Sequence, residues 1–420
     1  MTIINNVQTF NFSNLPIESF WNFSNEKEYK IHQIHAYPAK FPAFVTTKAI
    51  NYAKDSGLTL KTMCDIFCGC GTTAFEAKRS NIDYWGCDIN PVATMIARAK
   101  SRKYQITRLL KYYEIIISKY KKNEINDEYD NAAERLKYWY TKKQYNKLFY
   151  IKSLIIENTP QRSDYQYFFL CAFSNILKGS SRWLTKSIKP QVDPNKKPVD
   201  AYILFKNQCL RMFKSIEKLP PLEQSKNEII TGNFLDNTLN FSKTDMIITS
   251  PPYVISYEYA DLYQLSSLWL GYTNDYRELR EGTIGSLHHV YNFDKEKTKL
   301  NITGNRIVHR LLNNESDKAR SVAKYFLDMQ KVIKKTYSIL NSKGMAFFII
   351  GNTEYKSVKI DNVRHLTESM FDAGYSEISV SKRKISRKIL TPYRDKKGKF
   401  TTNANGRKVY NEEFIVCGKK

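Results

Sequence analysis

Long apolar stretches are missing from this chain of 420 residues. No run approaches the roughly 20 apolar residues of a membrane-spanning helix, and the first residues lack the basic and apolar regions of a signal peptide. Acidic residues are also scarce, with 41 against 66 basic ones and a formal charge of +25. A protein this basic usually has a polyanionic partner, nucleic acid before acidic membrane, although a lysine-rich proteome would give the same excess. We therefore expect a cytoplasmic protein without a membrane partner.

Cysteine is sparse and shows no metal-binding spacing. Four of the seven cysteines cluster between residues 64 and 87, but no C-x-x-C pair occurs, so zinc is not expected. We expect reduced, buried thiols, as is usual in the cytoplasm. The paired His288 and His289 have no acidic or cysteine partner at ligand spacing. The sequence therefore predicts no metal site.

A glycine turn follows the first strong strand signal. Residues 62–67 read as a buried strand, which runs into Gly69-Cys70-Gly71-Thr72 and then a helix to about Arg79. A second strand, residues 83–87, ends in Asp88. The order of strand, glycine turn, helix, strand and acid is typical of a nucleotide-binding unit. The third glycine of a dinucleotide fingerprint is missing, so NAD fits poorly, whereas S-adenosylmethionine needs close backbone approach and an acid but no phosphate cradle. A purely structural turn is the alternative.

A second motif, Thr249-Ser250-Pro251-Pro252-Tyr253, follows the apolar run 246–248. The two prolines stiffen the chain at the carboxyl end of a strand, which is the edge where open α/β sheets bind ligands. Ser250 adds a hydroxyl acceptor and Tyr253 a flat ring. Such a corner could hold an exocyclic amino group while stacking on the ring that carries it. A Pro-Pro turn with a core tyrosine is the alternative.

The strand signal disappears between about residues 90 and 228. Apolar stripes at helical spacing predict a series of helices there, one with Leu110 and another with Ile156 on its apolar face. Residues 272–315 read as a long polar excursion, and residues 316–340 as a long helix that Gly344 ends. Strands are predicted at 228–231, 345–350, 376–380 and 413–417, with helices at 43–54, 258–270 and 363–373.

Several motifs, taken together, carry a family resemblance. They are Tyr37-Pro38-Ala39-Lys40-Phe41-Pro42, residues 65–72, Gly86-Cys87-Asp88, residues 249–253, Ile284-Gly285-Ser286 and residues 347–352. In these motifs the chain resembles the bacterial DNA amino-methyltransferases, or modification methylases, of the cytosine-N4 type with an S-P-P-Y motif. The resemblance spans most of the chain and leaves the helical insert unmatched.

The resemblance implies a Rossmann-like α/β fold with a seven-stranded, mostly parallel sheet, a reversed last hairpin and a large helical insert. S-adenosylmethionine would lie across the carboxyl ends of the strands, with Asp88 on the ribose. The residues that the resemblance assigns to the cofactor are Tyr37, Pro38, Lys40, Asp65, Phe67, Gly69, Gly71, Thr72, Asp88, Asn233 and Asp236, the last two near the adenine. The catalytic residues would be Ser250, Pro251, Pro252 and Tyr253. Ser250 favours cytosine N4, because adenine-N6 enzymes more often carry Asp at that position.

The same resemblance divides the chain into a catalytic methyltransferase domain, residues 1–100 and 226–420, and an insert, residues 101–225. The insert is a candidate DNA-target-recognition region, but it precedes Gly232-Asn233, so residues 272–315 are a second candidate reader of bases. Basic side chains proposed to contact duplex DNA are Arg182, Lys186, Arg277, Arg280, Lys384 and Arg387. The last two belong to a segment, residues 382–399, with nine basic residues and one acid. Near Arg182, a solvated basic loop is the alternative.

The expected activity is therefore methylation of a flipped-out cytosine in duplex DNA, in a restriction-modification or related defence system. A cognate restriction endonuclease that shares the target site is a possible partner. Adenine-N6 methylation of DNA, methylation of an RNA base amino group, and a catalytically silent DNA-binding subunit are the alternatives. Cytosine-C5 chemistry is excluded, since it requires a catalytic cysteine beside a proline and no Pro-Cys pair occurs.

Overall fold

The structure is a computed structural model. The residues it describes are 1–23, 28–38, 40–121, 124–222, 224–254, 258–287, 291–313, 315–355, 358–385, 393–394, 400–401, 403, 407–408 and 412–420. Arg387 and the histidine pair at 288–289, which were singled out in the sequence, lie outside these residues.

Thirteen strands are present in the described part of the chain. They are β1 (Thr2–Ile3), β2 (Thr62–Asp65), β3 (Asp83–Asp88), β4 (Asn227–Thr231), β5 (Thr244–Thr249), β6 (Leu340–Ile350), β7 (Thr353–Tyr355), β8 (Val358–Ile360), β9 (Glu377–Lys384), β10 (Tyr393–Arg394), β11 (Phe400–Thr401), β12 (Arg407–Lys408) and β13 (Glu412–Lys419).

Fourteen α-helices are present in the same residues. They are α1 (Ala43–Asp55), α2 (Thr72–Arg79), α3 (Pro91–Ser101), α4 (Ile106–Lys119), α5 (Glu134–Trp139), α6 (Lys142–Asn158), α7 (Asp164–Ile176), α8 (Ala201–Ile216), α9 (Tyr259–Leu262), α10 (Gln264–Trp269), α11 (Phe293–Glu296), α12 (Ile302–Leu312), α13 (Ser316–Ile339) and α14 (Asn362–Ala373).

The main sheet has the strand order β1-β9-β13-β6-β5-β2-β3-β4. The run from β4 to β6 is parallel, and β13 is antiparallel to both β6 and β9. This confirms the expected seven-stranded, mostly parallel sheet with a reversed last strand, and the two-residue β1 adds an eighth strand at the edge. From β2 the chain continues toward β3, whereas from β5 it continues toward β6. The carboxyl ends of β2 and β5 therefore flank the switch point where ligands bind in such sheets.

Apolar clusters cover both faces of this sheet. Helices α13 and α14 bury Val322, Phe326 and Leu366 on one face, and α1 and α2 bury Val45 and Ala74 on the other. The strands between them are almost wholly buried, as expected for a parallel sheet covered on both sides. The switch point is thus held on a rigid, two-sided core.

Helices α4 to α8 form the insert, and they do not have a core of their own. A single apolar cluster joins Phe168 and Phe213 of the insert to Phe75, Met95 and Ile96 of α2 and α3. On α4 of the insert, Leu109 and Ile116 are buried. Leu110 and Ile156 are exposed, so the apolar faces of α4 and α6 are narrower than predicted.

Three other predictions need correction. Residues 272–315 are not a structureless excursion, because they contain α11 and α12, and α12 buries Ile307, Val308 and Leu311 at helical spacing. Gly344 does not end the long helix, because the chain passes directly from α13 into β6 at Leu340 and Gly344 lies within the strand. The helix predicted over 258–270 is broken at Tyr263 into α9 and α10.

Gly71 provides a test of how tightly the glycine turn packs. Its φ is +74°, and a Cβ there would lie 2.7 Å from Cα and Cβ of Ala97 on α3. Gly57 has a φ of +85°, but a Cβ at that residue would meet no atom within 4 Å. We expect Gly57→Ala to lower the free energy of unfolding by about 1–2 kcal/mol, the cost of a left-handed alanine. Gly71→Ala should lower it by a further ~1–3 kcal/mol, because the helix must move.

Urea unfolding of both variants without ligand measures the difference. Equal losses for Gly71→Ala and Gly57→Ala would mean that the turn does not depend on close approach to α3.

Candidate active site

A cavity of about 220 Å³ opens at the switch point, between the ends of β2 and β3 and the corner that follows β5. Of the fifteen residues predicted to bind the cofactor or act in catalysis, ten line it. They are Tyr37, Lys40, Phe67, Gly69, Thr72, Asp88, Asn233, Ser250, Pro252 and Tyr253. The two motifs that are far apart in the sequence therefore share one cavity.

The five other predicted residues do not line the cavity. Pro38 lies beside Tyr37, Pro251 is buried, and Gly71 packs against α3. Asp236 is exposed, and its carboxylate accepts hydrogen bonds from N and Oγ1 of Thr238, both at 2.8 Å. In the turn after β4, Asp236 N donates a hydrogen bond to the carbonyl oxygen of Asn233. This turn directs the Asp236 side chain away from the cavity.

Asp65 lies beneath the cavity and joins its two motifs. Its Oδ1 accepts hydrogen bonds from Thr249 Oγ1 at 2.6 Å and Phe67 N at 3.1 Å, and its Oδ2 accepts one from Thr73 Oγ1 at 3.0 Å. Burial raises the pKa of the Asp65 carboxyl to about 7, although these three donors oppose the rise. Thr249 is the residue before Ser250, so one carboxylate holds the end of β5 against the start of the glycine turn.

Asp88 faces the cavity from the end of β3. Its Oδ2 accepts a hydrogen bond from Gly69 N at 2.9 Å, and its Oδ1 accepts one from Asn90 N at 2.8 Å. Burial raises the pKa of the Asp88 carboxyl to about 6, against the effect of these two backbone donors. The carboxylate is thereby fixed in orientation, and its remaining lone pairs are available to hydroxyl groups in the cavity.

The cofactor side of the cavity fits S-adenosylmethionine. A Cβ on Gly69 would lie 3.3 Å from the hydroxyl of Tyr37, so glycine keeps this side of the cavity open. Thr72 lines the cavity, and its buried Oγ1 has no hydrogen-bond partner among the described residues. The Tyr37 ring stacks on Tyr263 at a centroid distance of 5.3 Å. An acid for the ribose, an unsatisfied hydroxyl and aromatic walls suit a nucleoside with an amino-acid tail.

The corner after β5 forms the opposite wall. None of the described residues donates a hydrogen bond to the carbonyl oxygen of Pro251, so this acceptor is available to a ligand. The Tyr253 hydroxyl donates to Glu413 Oε2 at 3.4 Å, and the ring lies beside Gly351. Burial raises the pKa of Tyr253 well above its ordinary value, and Glu413 adds to the rise. The tyrosine is therefore a neutral phenol, which suits stacking.

Some residues of the cavity were not identified from the sequence as site residues. Lys318, Ser321 and Tyr325, in the first half of α13, complete its wall. The loop with Gly285, noted only as a family motif, also lines it, and Gly285 N donates to Asp328 Oδ2 at 3.0 Å. A crossover helix cannot be placed over a site from periodicity alone, so no signal in α13 would have found these residues.

Most of the predicted DNA-contacting arginines have partners within the chain. Arg182 donates to the backbone carbonyls of Lys137 and Tyr138 and so caps the end of α5. Arg277 pairs with Asp275 at 2.5 Å and Arg280 with Asp261 at 2.6 Å. Lys186 and Lys384 are exposed. Contact with DNA stays a prediction for all six basic residues, and the two lysines are the better placed.

Neither a metal cluster nor a membrane span occurs in the described part of the chain. No group of three His, Cys, Asp or Glu side chains comes together there as a metal site would require. No helix among those residues has the length and apolar character to cross a membrane. All seven cysteines are free and buried, as expected.

Comparison with known proteins relates this chain to DNA methylases. The model of a DNA methylase family, the N6 and N4 methyltransferases, matches residues 8–99. The chain is 24% identical over 374 residues to Type II methyltransferase M.MvaI of Kocuria varians, covering 80% of each chain. It is 24% identical over 328 residues to Type II methyltransferase M.BsoBI of Geobacillus stearothermophilus, covering 67% of this chain and 60% of that one.

A solved precorrin-6y C5,15-methyltransferase from Geobacter metallireducens covers 92% of this chain and 94% of its own at 9% identity. Its TM-score of 0.30 is too low to relate the two folds. The sequence matches support a DNA amino-methyltransferase, and they do not distinguish N4 of cytosine from N6 of adenine. S-adenosylmethionine is the cofactor of this class of enzyme, and the cavity fits it.

The raised pKa of Asp88 predicts a pH dependence of cofactor binding. Only the ionised carboxylate accepts hydrogen bonds from the backbone and from both ribose hydroxyls at once. The pKa of the Asp88 carboxyl is about 6, so its ionisation is incomplete at a lower pH. The affinity for the cofactor should therefore rise as the pH rises through that value. We expect the Kd of S-adenosylmethionine at pH 5 to be roughly tenfold higher than at pH 7.5, measured by calorimetry.

Asp88→Asn should bind weakly at every pH, because it cannot ionise. Asp236→Asn is the matched control and should bind like the unmodified protein. A loss of affinity in Asp236→Asn, or a flat pH profile in the unmodified protein, would contradict these assignments.

Proposed function

We propose that the protein transfers a methyl group from S-adenosylmethionine to the N4 amino group of a cytosine flipped out of duplex DNA. The observation that carries this proposal is the single cavity shared by the glycine turn, Asp88 and the Ser250-to-Tyr253 corner. Sequence similarity to DNA methylases supports the substrate class. The formal charge of +25 suits a polyanionic partner.

Base flipping follows from the depth of the corner. Ser250 and Tyr253 lie at the edge of a buried sheet, and an amino group inside a duplex cannot reach them. The base must leave the helix, which costs a few kcal/mol of stacking and pairing. Stacking on the Tyr253 ring offsets on the order of 1–3 kcal/mol of that cost.

The corner then orients the amino group. Ser250 Oγ and the carbonyl oxygen of Pro251 each accept a hydrogen bond from one N–H of this amino group. These hydrogen bonds keep lone-pair density on the nitrogen instead of in the ring. The prolines hold both acceptors at fixed positions, so much of the rate acceleration comes from positioning. Bound S-adenosylmethionine supplies an activated methyl group on a sulfonium. After transfer the nitrogen releases one proton to water, and no covalent enzyme intermediate is needed.

Cytosine is favoured over adenine by Ser250. A neutral hydroxyl at this position accepts one hydrogen bond from the amino group. The adenine-N6 enzymes of the family that this chain resembles more often carry a carboxylate there. Adenine-N6 methylation with the same residues is the second candidate. The similarity to Type II methyltransferases favours a cellular role beside a restriction endonuclease that shares the target site.

The direct experiment incubates the protein with labelled S-adenosylmethionine and duplex DNA, then digests the DNA and identifies the modified nucleoside. The proposal expects N4-methylcytosine. If N6-methyladenine is found instead, the target base is adenine and not cytosine. Transfer to RNA alone, or tight DNA binding without transfer, would refute the proposal.

Tyr253→Ala tests the stacking role. Loss of the ring removes on the order of 1–3 kcal/mol of base binding, so the transfer rate should fall by about tenfold to 100-fold while the Kd of the cofactor stays the same. Tyr337→Ala is the matched control, because Tyr337 is a partly buried tyrosine that packs on Tyr375, outside the cavity. A parallel fall in cofactor affinity in Tyr253→Ala would show that Tyr253 has another role.

A further inference from the structure

A buried ion pair lies behind the ring of Tyr253. Arg383 Nε donates to Glu413 Oε1 at 2.6 Å, and a second guanidinium nitrogen contacts the same oxygen. Arg383 is 1% exposed and Glu413 is 6% exposed. The other carboxylate oxygen, Oε2, accepts the Tyr253 hydroxyl at 3.4 Å. One carboxylate thus lies between the guanidinium and the phenol, with a short contact to the guanidinium and a longer one to the phenol.

The sheet register places this pair. Arg383 on β9 and Glu413 on β13 are directly opposite each other in an antiparallel ladder. The guanidinium also lies 5.4 Å from the ring centroid of Phe44, at the start of α1. A continuous set of contacts therefore runs from α1 through two strands to the corner after β5.

A buried ion pair of this kind is a costly way to hold two strands together. Desolvation of both charges offsets much of their attraction, and a well-packed apolar pair is often as stable or more stable. The pair does supply what an apolar pair cannot, namely a fixed hydrogen-bond acceptor for the Tyr253 hydroxyl. Pro251 and Pro252 restrict the backbone end of this residue, and Glu413 restrains the other end of the ring.

We propose that Glu413, held by Arg383, is a positioning residue that sets the orientation of the Tyr253 ring against the target base. This inference rests on the proposed function. The ring orientation decides how the flipped base lies relative to Ser250 Oγ, and misplacement by about 1 Å can cost on the order of 100-fold in rate.

The test compares two double variants that both remove the buried charges. Arg383→Met/Glu413→Gln keeps an acceptor for the Tyr253 hydroxyl, whereas Arg383→Met/Glu413→Leu does not. In single-turnover transfer to duplex DNA, we expect the leucine variant to be slower by on the order of 100-fold. The glutamine variant should stay within about tenfold of the unmodified protein, since one neutral hydrogen bond is retained. The Kd of S-adenosylmethionine should be unchanged in both.

Glu377→Leu/Lys419→Met is a control for the loss of an ion pair between the same two strands, and this pair is half-exposed whereas Arg383 and Glu413 are buried. Glu377 and Lys419 form a 2.7 Å ion pair between the same two strands, also directly opposite, at the other end of the ladder. A purely structural role of the Arg383–Glu413 pair would make the glutamine and leucine variants equally slow. In a Tyr253→Phe background, the glutamine and leucine variants should have equal rates.

A second readout does not depend on activity. With 3-fluorotyrosine at position 253, the fluorine spectrum should show one sharp resonance in the unmodified protein and in the glutamine variant. The leucine variant should give two resonances or a broadened one, because its ring is no longer held at the hydroxyl. Equal rates and equal spectra for the glutamine and leucine variants would overturn the inference. If the unmodified protein methylates no DNA, the proposed function fails, and the fluorine spectra still decide whether Glu413 holds the ring.

Discussion

The buried carboxylate of Asp65 connects the two halves of the cavity. It accepts hydrogen bonds from the residue before Ser250, from the loop after β2 and from the first turn of α2. Because β2 and β5 are neighbouring parallel strands, the loops that leave them begin about 4.8 Å apart. The distance between the cofactor side and the base side of the cavity is therefore set by backbone pairing. The hydrogen bonds of Asp65 fix the two loops relative to each other. Other contacts of the site, such as the hydrogen bond from Gly69 N to the Asp88 carboxylate, depend on this placement of the two loops.

Burial also controls the charge of the site. It raises the pKa of Asp65 to about 7 and that of Asp88 to about 6, so both carboxyls change state near neutral pH. Raised carboxyl pKa values mean that the folded chain holds protons which the unfolded chain has already released. These two groups therefore favour folding in acid and oppose it as the pH rises through their folded-state pKa values. The fold keeps the carboxylates in spite of this cost, which is consistent with a role in ligand binding.

Local patterns predicted much of this structure. Strands β2 and β3, the glycine turn and the long α13 were visible because each has a strong period or a distinctive turn. The seven-stranded, mostly parallel sheet with a reversed last hairpin was expected from the family resemblance. The exposed position of Asp236 was not predicted, because it follows from side-chain hydrogen bonds within its own turn, which the glycine and strand patterns do not reveal. Glu413 was read only as part of a last strand, because its contact with Tyr253 spans 160 residues of sequence.

The shared core beneath the insert limits how this protein could have changed over time. Phe75, Met95 and Ile96 of the sheet-covering helices pack into the same cluster as Phe168 and Phe213 of the insert. Removal of the insert would leave these side chains facing water. Recombination could therefore not replace the insert by itself without disturbing this shared core. An exchange between related chains would have to bring the matching surface of α2 and α3 with it.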